Sequence, residues 1–297
     1  MADVKDVVLS IPDVGGFMGN QLYFVLQAFA NSVRGIHCRY LINDCGRQCH
    51  FADTARILGM EEYVVESADK SVSLVSDYYQ LYGRDFSSSQ LNAFIENTIM
   101  RSEFFMSLRA KYSEIESADD VLCLNIRNGD YLRHPAKRDF AAFDRLDYFK
   151  RCFEEVDASR FQRLDVLSDD NRLNERLYDR LFRSWFGEVR YLERTSPCED
   201  MLRLAFYRNR IIMNSTFSYW GSFIGECLHP DSMTVAPNYF THHSLSADRC
   251  APNWRIVDVK VDISAVIRVF GFRIIEAFKS LCGDFASGRN IKWTCKP

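Results

Sequence analysis

Several features that mark membrane, secreted or fibrous proteins are missing from this sequence. No stretch approaches the roughly 18 consecutive apolar residues that a membrane span needs. The N-terminal sequence, Met-Ala-Asp-Val-Lys-Asp, lacks the basic and apolar regions of a secretory signal, so we expect none. Proline and glycine are scarce, with 7 and 14 residues, which excludes collagen-like and low-complexity classes. An ordinary globular protein is the class that remains.

An excess of charge of either sign is also missing. The chain has 37 basic and 40 acidic residues, a net charge of -3, and no long run of one sign. Without a basic stretch to neutralise phosphates, we expect no nucleic-acid partner. The 297 residues, 47% of them apolar, are enough for one large domain or two small ones.

The 10 cysteines are scattered without a repeating pattern, which does not favour a disulfide framework. The nearest approach to a metal cluster is Cys45, Cys49 and His50, and no second half follows at zinc-finger spacing. We therefore predict no bound zinc and a reducing, cytoplasmic environment.

Short apolar runs alternate with longer amphipathic stretches along most of the chain. This alternation is typical of α/β architecture, in which helices join parallel strands. The predicted strands are residues 7–11, 39–42, 63–65, 121–126, 164–167, 189–192, 210–213 and 233–235. The predicted helices are residues 21–34, most of 88–112, and residues 146–153, 171–182, 199–207 and 219–227.

A polar break near residue 118 divides this series into two Rossmann-like domains, residues 1–118 and 119–260. A site is expected in the cleft between them. After residue 261, apolar side chains recur at helical spacing with basic residues between them. Two interpretations stay open for residues 261–297: a helix that packs across both domains, or an interfacial helix that touches an anionic membrane surface.

A glycine-rich turn separates the first predicted strand from the first helix. Gly16, Gly19, Asn20 and Gln21 form a G-x-x-G-N-Q pattern there. Glycines let the backbone approach a ligand closely, and a helix N-terminus offers unpaired N–H groups to an anion. The spacing matches neither a dinucleotide fingerprint nor a Walker loop, so a purely structural turn is an equal alternative.

Two further polar segments follow apolar strands. Residues 125–131 read N-I-R-N-G-D-Y, which places Arg127 at the carboxyl end of a strand, where open α/β sheets bind ligands. A guanidinium can bind two phosphate oxygens at once. The alternative to phosphate binding is an Arg127–Asp130 ion pair that only stabilises the loop. Residues 214–221 read N-S-T-F-S-Y-W-G, and their hydroxyl and N–H groups suit either a phosphate or simple helix capping.

These segments, in this order, resemble the inverting α-1,2-fucosyltransferases of glycosyltransferase family 11. The matching pieces are G-x-x-G-N-Q at 16–21, R-x-G-D-Y at 127–131, S-D-D at 168–170, N-S-T-F-S-x-W-G at 214–221 and A-P-x-x-F at 236–240. The resemblance spans about residues 8–240. Members commonly carry H-x-R-R-G-D, whereas Asn125 and Asn128 stand here in place of the His and the second Arg.

The resemblance implies a GT-B-like α/β fold, with two Rossmann-like domains facing a cleft. It implies an enzyme that moves L-fucose from GDP-β-L-fucose to the 2-hydroxyl of a glycan, with a β-galactoside expected, and that needs neither a metal nor another cofactor. Arg127 is the residue implied to hold the donor β-phosphate. Similarity to more distant fucosyltransferases implies that Asn20 contacts the donor and that Asp200 binds its guanine. The full implied donor-binding set is Gly16, Gly19, Asn20, Asn125, Arg127, Asp200, Asn214, Ser215, Thr216 and Ser218.

Such a transfer passes through an oxocarbenium-like state while negative charge builds on GDP. No D-x-D metal pattern is present, so Arg127 and nearby hydroxyl and N–H groups are expected to meet that charge. A carboxylate must take the acceptor proton, and Asp130 is the first candidate, although it could equally brace its own loop. Asp139 and Asp144 are reserve candidates. The predicted catalytic set is therefore Arg127, Asp130 and Asn20.

Animal members of this family carry an N-terminal membrane anchor, which is not expected here. We therefore expect a bacterial enzyme of surface-polysaccharide, or O-antigen, biosynthesis that acts on a glycan or lipid-linked oligosaccharide. Its expected location is cytoplasmic, with peripheral contact at the inner membrane face through the C-terminal helix. The alternatives are a transferase for another nucleotide sugar or linkage, and a non-catalytic relative that binds glycan or nucleotide, which Asn125 and Asn128 favour.

Overall fold

The computed structural model describes residues 7–10, 18–42, 51–66, 72–74, 79–241, 244–245, 247–264, 267 and 274. The strands are β1 (Val7–Ser10), β2 (Cys38–Leu41), β3 (Val64–Val65), β4 (Val72–Leu74), β5 (Val121–Ile126), β6 (Arg163–Ser168), β7 (Glu188–Tyr191), β8 (Asn209–Ile212), β9 (Met233–Pro237) and β10 (Arg255–Val257). The helices are α1 (Met18–Val33), α2 (Phe51–Ile57), α3 (Ser88–Asn97), α4 (Glu103–Lys111), α5 (Ser113–Glu116), α6 (Gly129–Arg133), α7 (Arg145–Glu155), α8 (Asn171–Trp185), α9 (Pro197–Phe206) and α10 (Thr216–Leu228).

The strands form two parallel sheets. The first has the order β3-β2-β1-β4 and the second the order β10-β9-β8-β5-β6-β7. Read from its own first strand, the second sheet has the order 3-2-1-4-5-6 of a Rossmann fold. The predicted α/β, GT-B-like class is thereby confirmed. The two sheets lie on either side of residue 118, while the exact domain bounds stay a prediction.

Strand β5 shows why the sequence pattern indicates a buried parallel sheet. All six of its residues are buried. Val121 and Cys123 belong to one hydrophobic core, shared with α1, α9 and α10, whereas Leu122 and Leu124 belong to a second core, shared with α7 and α8. Because helices cover both faces, apolar side chains stand at five of its six positions, all but Asn125, instead of at alternate positions.

Helices α1 and α10 meet at their N-termini. The indole Nε1 of Trp220 donates to the Gly19 carbonyl at 2.9 Å. A Cβ at Gly19 would lie 2.7 Å from both the Thr216 Oγ1 and the Phe217 nitrogen, so this crossing needs glycine. Gly19 and Asn20 therefore lie in the first turn of α1 and not in a turn before a helix that begins at residue 21. The contact brings Gly19 to the strand-to-helix junction of the second sheet.

Most predicted elements are present, with two kinds of difference. The helical stretch predicted over 88–112 is interrupted, because Ser102 begins a new helix by accepting the Phe105 N–H at 3.1 Å. Helices α2, α5 and α6 and the short strands β4 and β10 were not predicted. Residues 261–297 lie largely outside the described residues, so the packing of the predicted C-terminal helix is untested. Of the helices in the described ranges, none has the length and hydropathy required to span a bilayer.

Candidate active site

The carboxyl ends of β5 and β8 lie side by side in the second sheet. In the order 3-2-1-4-5-6 these are the first and fourth strands, where the chain reverses the direction in which it adds strands. Ligands of open α/β sheets bind in the crevice at such a switch point. The two polar segments singled out in the sequence follow directly after these two strands.

A cleft opens at this switch point, with about 500 Å³ of empty space that is partly open to solvent. Its walls come from the ends of β5 and β6, the start of α9 and the start of α10. The lining residues are Asn125, Ile126, Arg127, Leu167, Ser168, Asp169, Arg194, Pro197, Asp200, Ser215, Phe217 and Ser218.

Arg127 lies in this cleft between two carboxylates. Its Nη1 is 2.8 Å from Asp169 Oδ2 and its Nη2 is 2.8 Å from Asp130 Oδ1. Burial disfavours the charged guanidinium, but the two aspartates outweigh burial and raise the pKa of Arg127. The side chain stays 29% exposed, so its fixed positive charge remains accessible from the cleft.

Asp130 pairs with Arg127 through one oxygen and with Lys137 Nζ through the other, at 2.7 Å. Burial favours its neutral form, but Lys137 and Arg127 outweigh burial and lower the pKa of Asp130. A carboxylate with a lowered pKa is a weak proton acceptor. These contacts favour the loop-bracing alternative, and the catalytic role of Asp130 stays a prediction.

The two reserve carboxylates are also engaged. Asp139 is buried and accepts the Tyr239 hydroxyl at 3.1 Å. Asp144 is the N-cap of α7 and accepts the Asp147 N–H at 3.0 Å. Neither lines the cleft. His134, the C-cap residue of α6, is exposed.

Asn125 is held on two sides at the end of β5. Its Nδ2 donates to the Leu167 carbonyl at 3.0 Å, and its Oδ1 accepts the Ser218 hydroxyl at 2.5 Å. Both Asn125 and Ser218 are buried. The amide therefore joins β5, β6 and α10 at the floor of the cleft, where the resembling sequences carry a histidine.

The N-terminus of α10 provides the opposite wall. Ser215 is its N-cap residue, yet its side chain makes no capping hydrogen bond within the helix, which leaves the first N–H groups of α10 without that cap. Thr216 begins the helix next to Gly19. Asn214 does not line the cleft. Its Nδ2 instead bonds the carbonyls of Phe140 and Phe240, both at 2.8 Å, so it ties two loops together.

Asp200 lies in the first turns of α9 and lines the cleft. Its Oδ1 accepts the Thr195 hydroxyl at 2.8 Å and the Thr195 N–H at 3.2 Å. Burial raises the pKa of Asp200, and the two Thr195 hydrogen bonds oppose this shift without cancelling it. Its carboxylate is thus positioned to accept N–H groups from a ligand.

Asn20 and Gly19 come from the first sheet's side of the molecule. The Asn20 Oδ1 accepts from Gln80 Nε2 at 3.2 Å, and the Gln80 backbone is anchored on Asp85. Neither residue lines the cleft itself, although Gly19 touches α10 beside it. Gly16 lies outside the described residues.

Several lining residues were missed in the sequence. Asp169 was noted only as part of a motif, although it orients Arg127 and accepts the Asn128 N–H at 2.8 Å. Arg194 was not noted, because it lies in a loop without a distinctive pattern. Lys137 does not line the cleft, but its pair with Asp130 was also missed, because its position seven residues after Asp130 gave no signal without the fold.

Among the described residues, no group of three or more His, Cys, Asp or Glu side chains is arranged to hold a metal ion. The segment with Cys45, Cys49 and His50 lies outside them. The cysteines of the described ranges, Cys38, Cys123, Cys152, Cys198, Cys227 and Cys250, are free thiols.

A Rossmann-type sheet with an arginine, hydroxyl groups and a carboxylate at its switch point is typical of nucleotide-binding α/β proteins. The profile of glycosyl transferase family 11 matches residues 55–258. The chain therefore belongs to glycosyl transferase family 11, as the motifs predicted.

Two curated Escherichia coli proteins are similar over part of their length. The O-antigen biosynthesis glycosyltransferase WbnK is 29% identical over 119 residues, which are 38% of this chain and 37% of that protein. An alpha-1,2-colitosyltransferase is 25% identical over 175 residues, which are 54% of this chain and 57% of that protein. The matched region thus spans about a third to just over half of these relatives.

Solved structures of POFUT1 are also similar. The complex of POFUT1 with GDP-fucose is 11% identical, with a TM-score of 0.45, and the match covers 88% of this chain and 99% of that one. A complex of POFUT1 with GDP gives a TM-score of 0.46 at 11% identity, covering 79% of this chain and 99% of that one.

Proposed function

We propose that this protein is an inverting glycosyltransferase that moves L-fucose from GDP-β-L-fucose to the 2-hydroxyl of a glycan, with a β-galactoside as the expected acceptor. The observation that carries the proposal is the position of Arg127, an accessible guanidinium at the switch point of a Rossmann sheet. The family membership and the O-antigen glycosyltransferase among the relatives support this class of reaction. The same relative supports a role in surface-polysaccharide synthesis.

In the proposed reaction the acceptor oxygen attacks the fucose anomeric carbon while the bond from that carbon to GDP breaks. The hydroxyl proton passes to a base, and GDP leaves with an additional negative charge. Arg127 and the N-terminus of α10 both border the cleft, which supports a role for them in stabilising that charge. Asp200 would accept the N–H groups of guanine, and Asn125 with Ser218 would shape the floor beneath the nucleotide.

The experiment is GDP release from GDP-fucose in the presence of EDTA, with and without a panel of β-galactosides. We expect release that depends on acceptor and survives EDTA. Arg127→Ala should fold normally and lose roughly 10²-fold or more in kcat/KM, because a bidentate contact to the leaving group is removed. Near-normal activity of a folded Arg127→Ala protein would contradict the phosphate role, and a strict metal requirement would contradict the metal-independent reaction.

A second candidate keeps the reaction and changes the sugar. The alpha-1,2-colitosyltransferase among the relatives favours it, since its name specifies colitose as the transferred sugar. GDP-colitose belongs in the donor panel, and preferential release from it would establish this alternative. GDP binding without release from any donor would instead indicate a binding protein without turnover.

A further inference from the structure

A second arginine lies directly behind the Arg127 loop. Arg145 is the first residue of α7 and is only 6% exposed. Its Nη1 donates to Asn128 Oδ1 at 2.7 Å, and its Nη2 donates to the Arg127 carbonyl at 3.1 Å. One guanidinium thus bonds two consecutive residues of the loop that carries the proposed phosphate-binding group.

The partners of Arg145 leave its charge uncompensated. Both acceptors are neutral oxygens, and within the described ranges its Nε is buried without a hydrogen-bond partner and no carboxylate pairs with it. By contrast, Arg127 pairs with two aspartates. Arginine stays protonated in proteins, so a full positive charge lies behind the loop.

Asn128 suits this guanidinium because it is a neutral acceptor. It is 1% exposed, and its Nδ2 donates to Asn174 Oδ1 at 2.8 Å while its Oδ1 receives Arg145. A cationic side chain at this position, such as an arginine, could not accept from Arg145. An acceptor at 128 and a guanidinium at 145 therefore form a matched pair.

We propose that Arg145 is a positioning residue, which fixes the backbone of Arg127 and contributes an uncompensated positive charge beside the donor diphosphate. The inference rests on the proposed function. In this arrangement the second positive charge at the loop comes from α7, not from the residue that follows Arg127.

A double-mutant cycle tests the positioning role. Arg145→Lys keeps the positive charge, but an ammonium cannot bond both acceptors in the geometry of the guanidinium. GDP affinity should therefore fall roughly tenfold, and kcat should change more than KM, while the protein stays folded. If Arg145 acts through Arg127, the same change should have little effect in an Arg127→Ala background. Equal losses in both backgrounds, or no loss in the wild-type background, would overturn the proposal.

Asn128→Asp tests the charge separately. It offers Arg145 a carboxylate of the same shape, and Asn174, whose Nδ2 is buried without a partner, can turn its amide to donate to it. We expect thermal stability to be retained and GDP to bind roughly tenfold more weakly, because the positive charge is neutralised. Wild-type GDP affinity in this variant would overturn the electrostatic part.

Arg210→Lys is the matched control. Arg210 is also a buried guanidinium, and it donates to neutral oxygens of Tyr207, Ser232 and Thr234. It lies near the start of β8, away from the cleft. The Arg210→Lys substitution should lower the melting temperature and leave GDP affinity unchanged. Absence of GDP binding by the wild-type protein would refute the proposed function, whereas binding that Arg145 variants do not alter would refute only this inference.

Discussion

The guanidinium of Arg127 lies 2.8 Å from the carboxylate of Asp169, the residue that directly follows the neighbouring strand β6. The other oxygen of Asp169 accepts the N–H of Asn128 at 2.8 Å. A Cβ at Gly129 would lie 2.5 Å from that carboxylate, so the loop sequence R-N-G is built around this contact. Asp169 thus orients both the backbone and the side chain of the loop.

Asp169→Asn should lower kcat about tenfold through loss of the ion pair that aims Arg127. GDP affinity should change less, because removing a negative charge beside the diphosphate partly offsets the looser arginine. Initial rates and calorimetric GDP binding separate the two effects. Glu188→Gln is the control, since its pair with Arg190 at 2.6 Å is about half exposed and distant from the cleft. Unchanged kcat in a folded Asp169→Asn protein would show that Asp130 suffices to hold Arg127.

The Asp130→Asn variant distinguishes a general base from a residue that only stabilises its own loop. Its pKa is lowered in the folded protein, so its stabilising contribution is present above the ordinary value of 3.8 and is lost as the pH falls through the lowered value. If Asp130 only stabilises the loop, the Asp130→Asn variant should be less stable than the wild type at neutral pH and should lose less stability on acidification. Its kcat should fall only modestly. Denaturant titrations between pH 7 and strongly acidic pH, together with initial rates, measure both. A fall in kcat of roughly 10³-fold at unchanged stability would instead support the predicted base.

The carboxylate of Asp200 should make nucleotide binding depend on pH and on the identity of the nucleobase. Its pKa is raised by burial, so acidification protonates it at a higher pH than an exposed aspartate. GDP affinity of the wild-type protein should fall as the pH drops through this raised value, and Asp200→Asn should flatten the profile. Inosine diphosphate, which lacks the guanine amino group, should bind more weakly than GDP to the wild-type protein but not to the variant. An unchanged preference for GDP in Asp200→Asn would exclude it from guanine recognition.

The sheet at the site was predictable because its sequence signal is strong. Strand β5 is buried on both faces and ends directly before Arg127, so an apolar run and the polar group after it indicate both a strand and its functional end. Strand β10 gave little signal, because Arg255 and Ile256 are exposed at the edge of its sheet. Helix α2 is short and buries only Phe51 and Ala55 of its seven residues, which is too little for a helical pattern.

Contacts between distant segments could not be predicted in the same way. Arg145 bonds Asn128 across 17 residues of sequence, and Gln80 bonds Asn20 across 60. Neither Arg145 nor Gln80 lies in a motif. Asn214 shows the converse case. It lies within the most specific motif, and the structure gives its amide nitrogen two backbone carbonyls instead of a place in the cleft. A motif thus marks a segment, and only the fold separates residues that face a ligand from those that hold the segment in place.

The hydrogen bond from Ser218 to Asn125 should contribute measurably to stability. Ser218→Ala would leave the Asn125 Oδ1 buried without its donor, at a cost of about 1–3 kcal/mol in the free energy of unfolding. Ser222 is the matched control, because it lies one turn later in α10, is equally buried, and has an Oγ without a hydrogen-bond partner among the described residues. Ser222→Ala should be neutral or slightly stabilising.

Denaturant unfolding of the two variants measures the difference directly. We expect Ser218→Ala to lose stability and, because Asn125 lines the cleft, to bind GDP more weakly, while Ser222→Ala retains wild-type GDP affinity. Equal stability of the two variants would show that Asn125 finds another donor when Ser218 is removed. Asn125 would then be able to rotate within the cleft, and its place on the floor of the nucleotide site would no longer follow from the contact with α10.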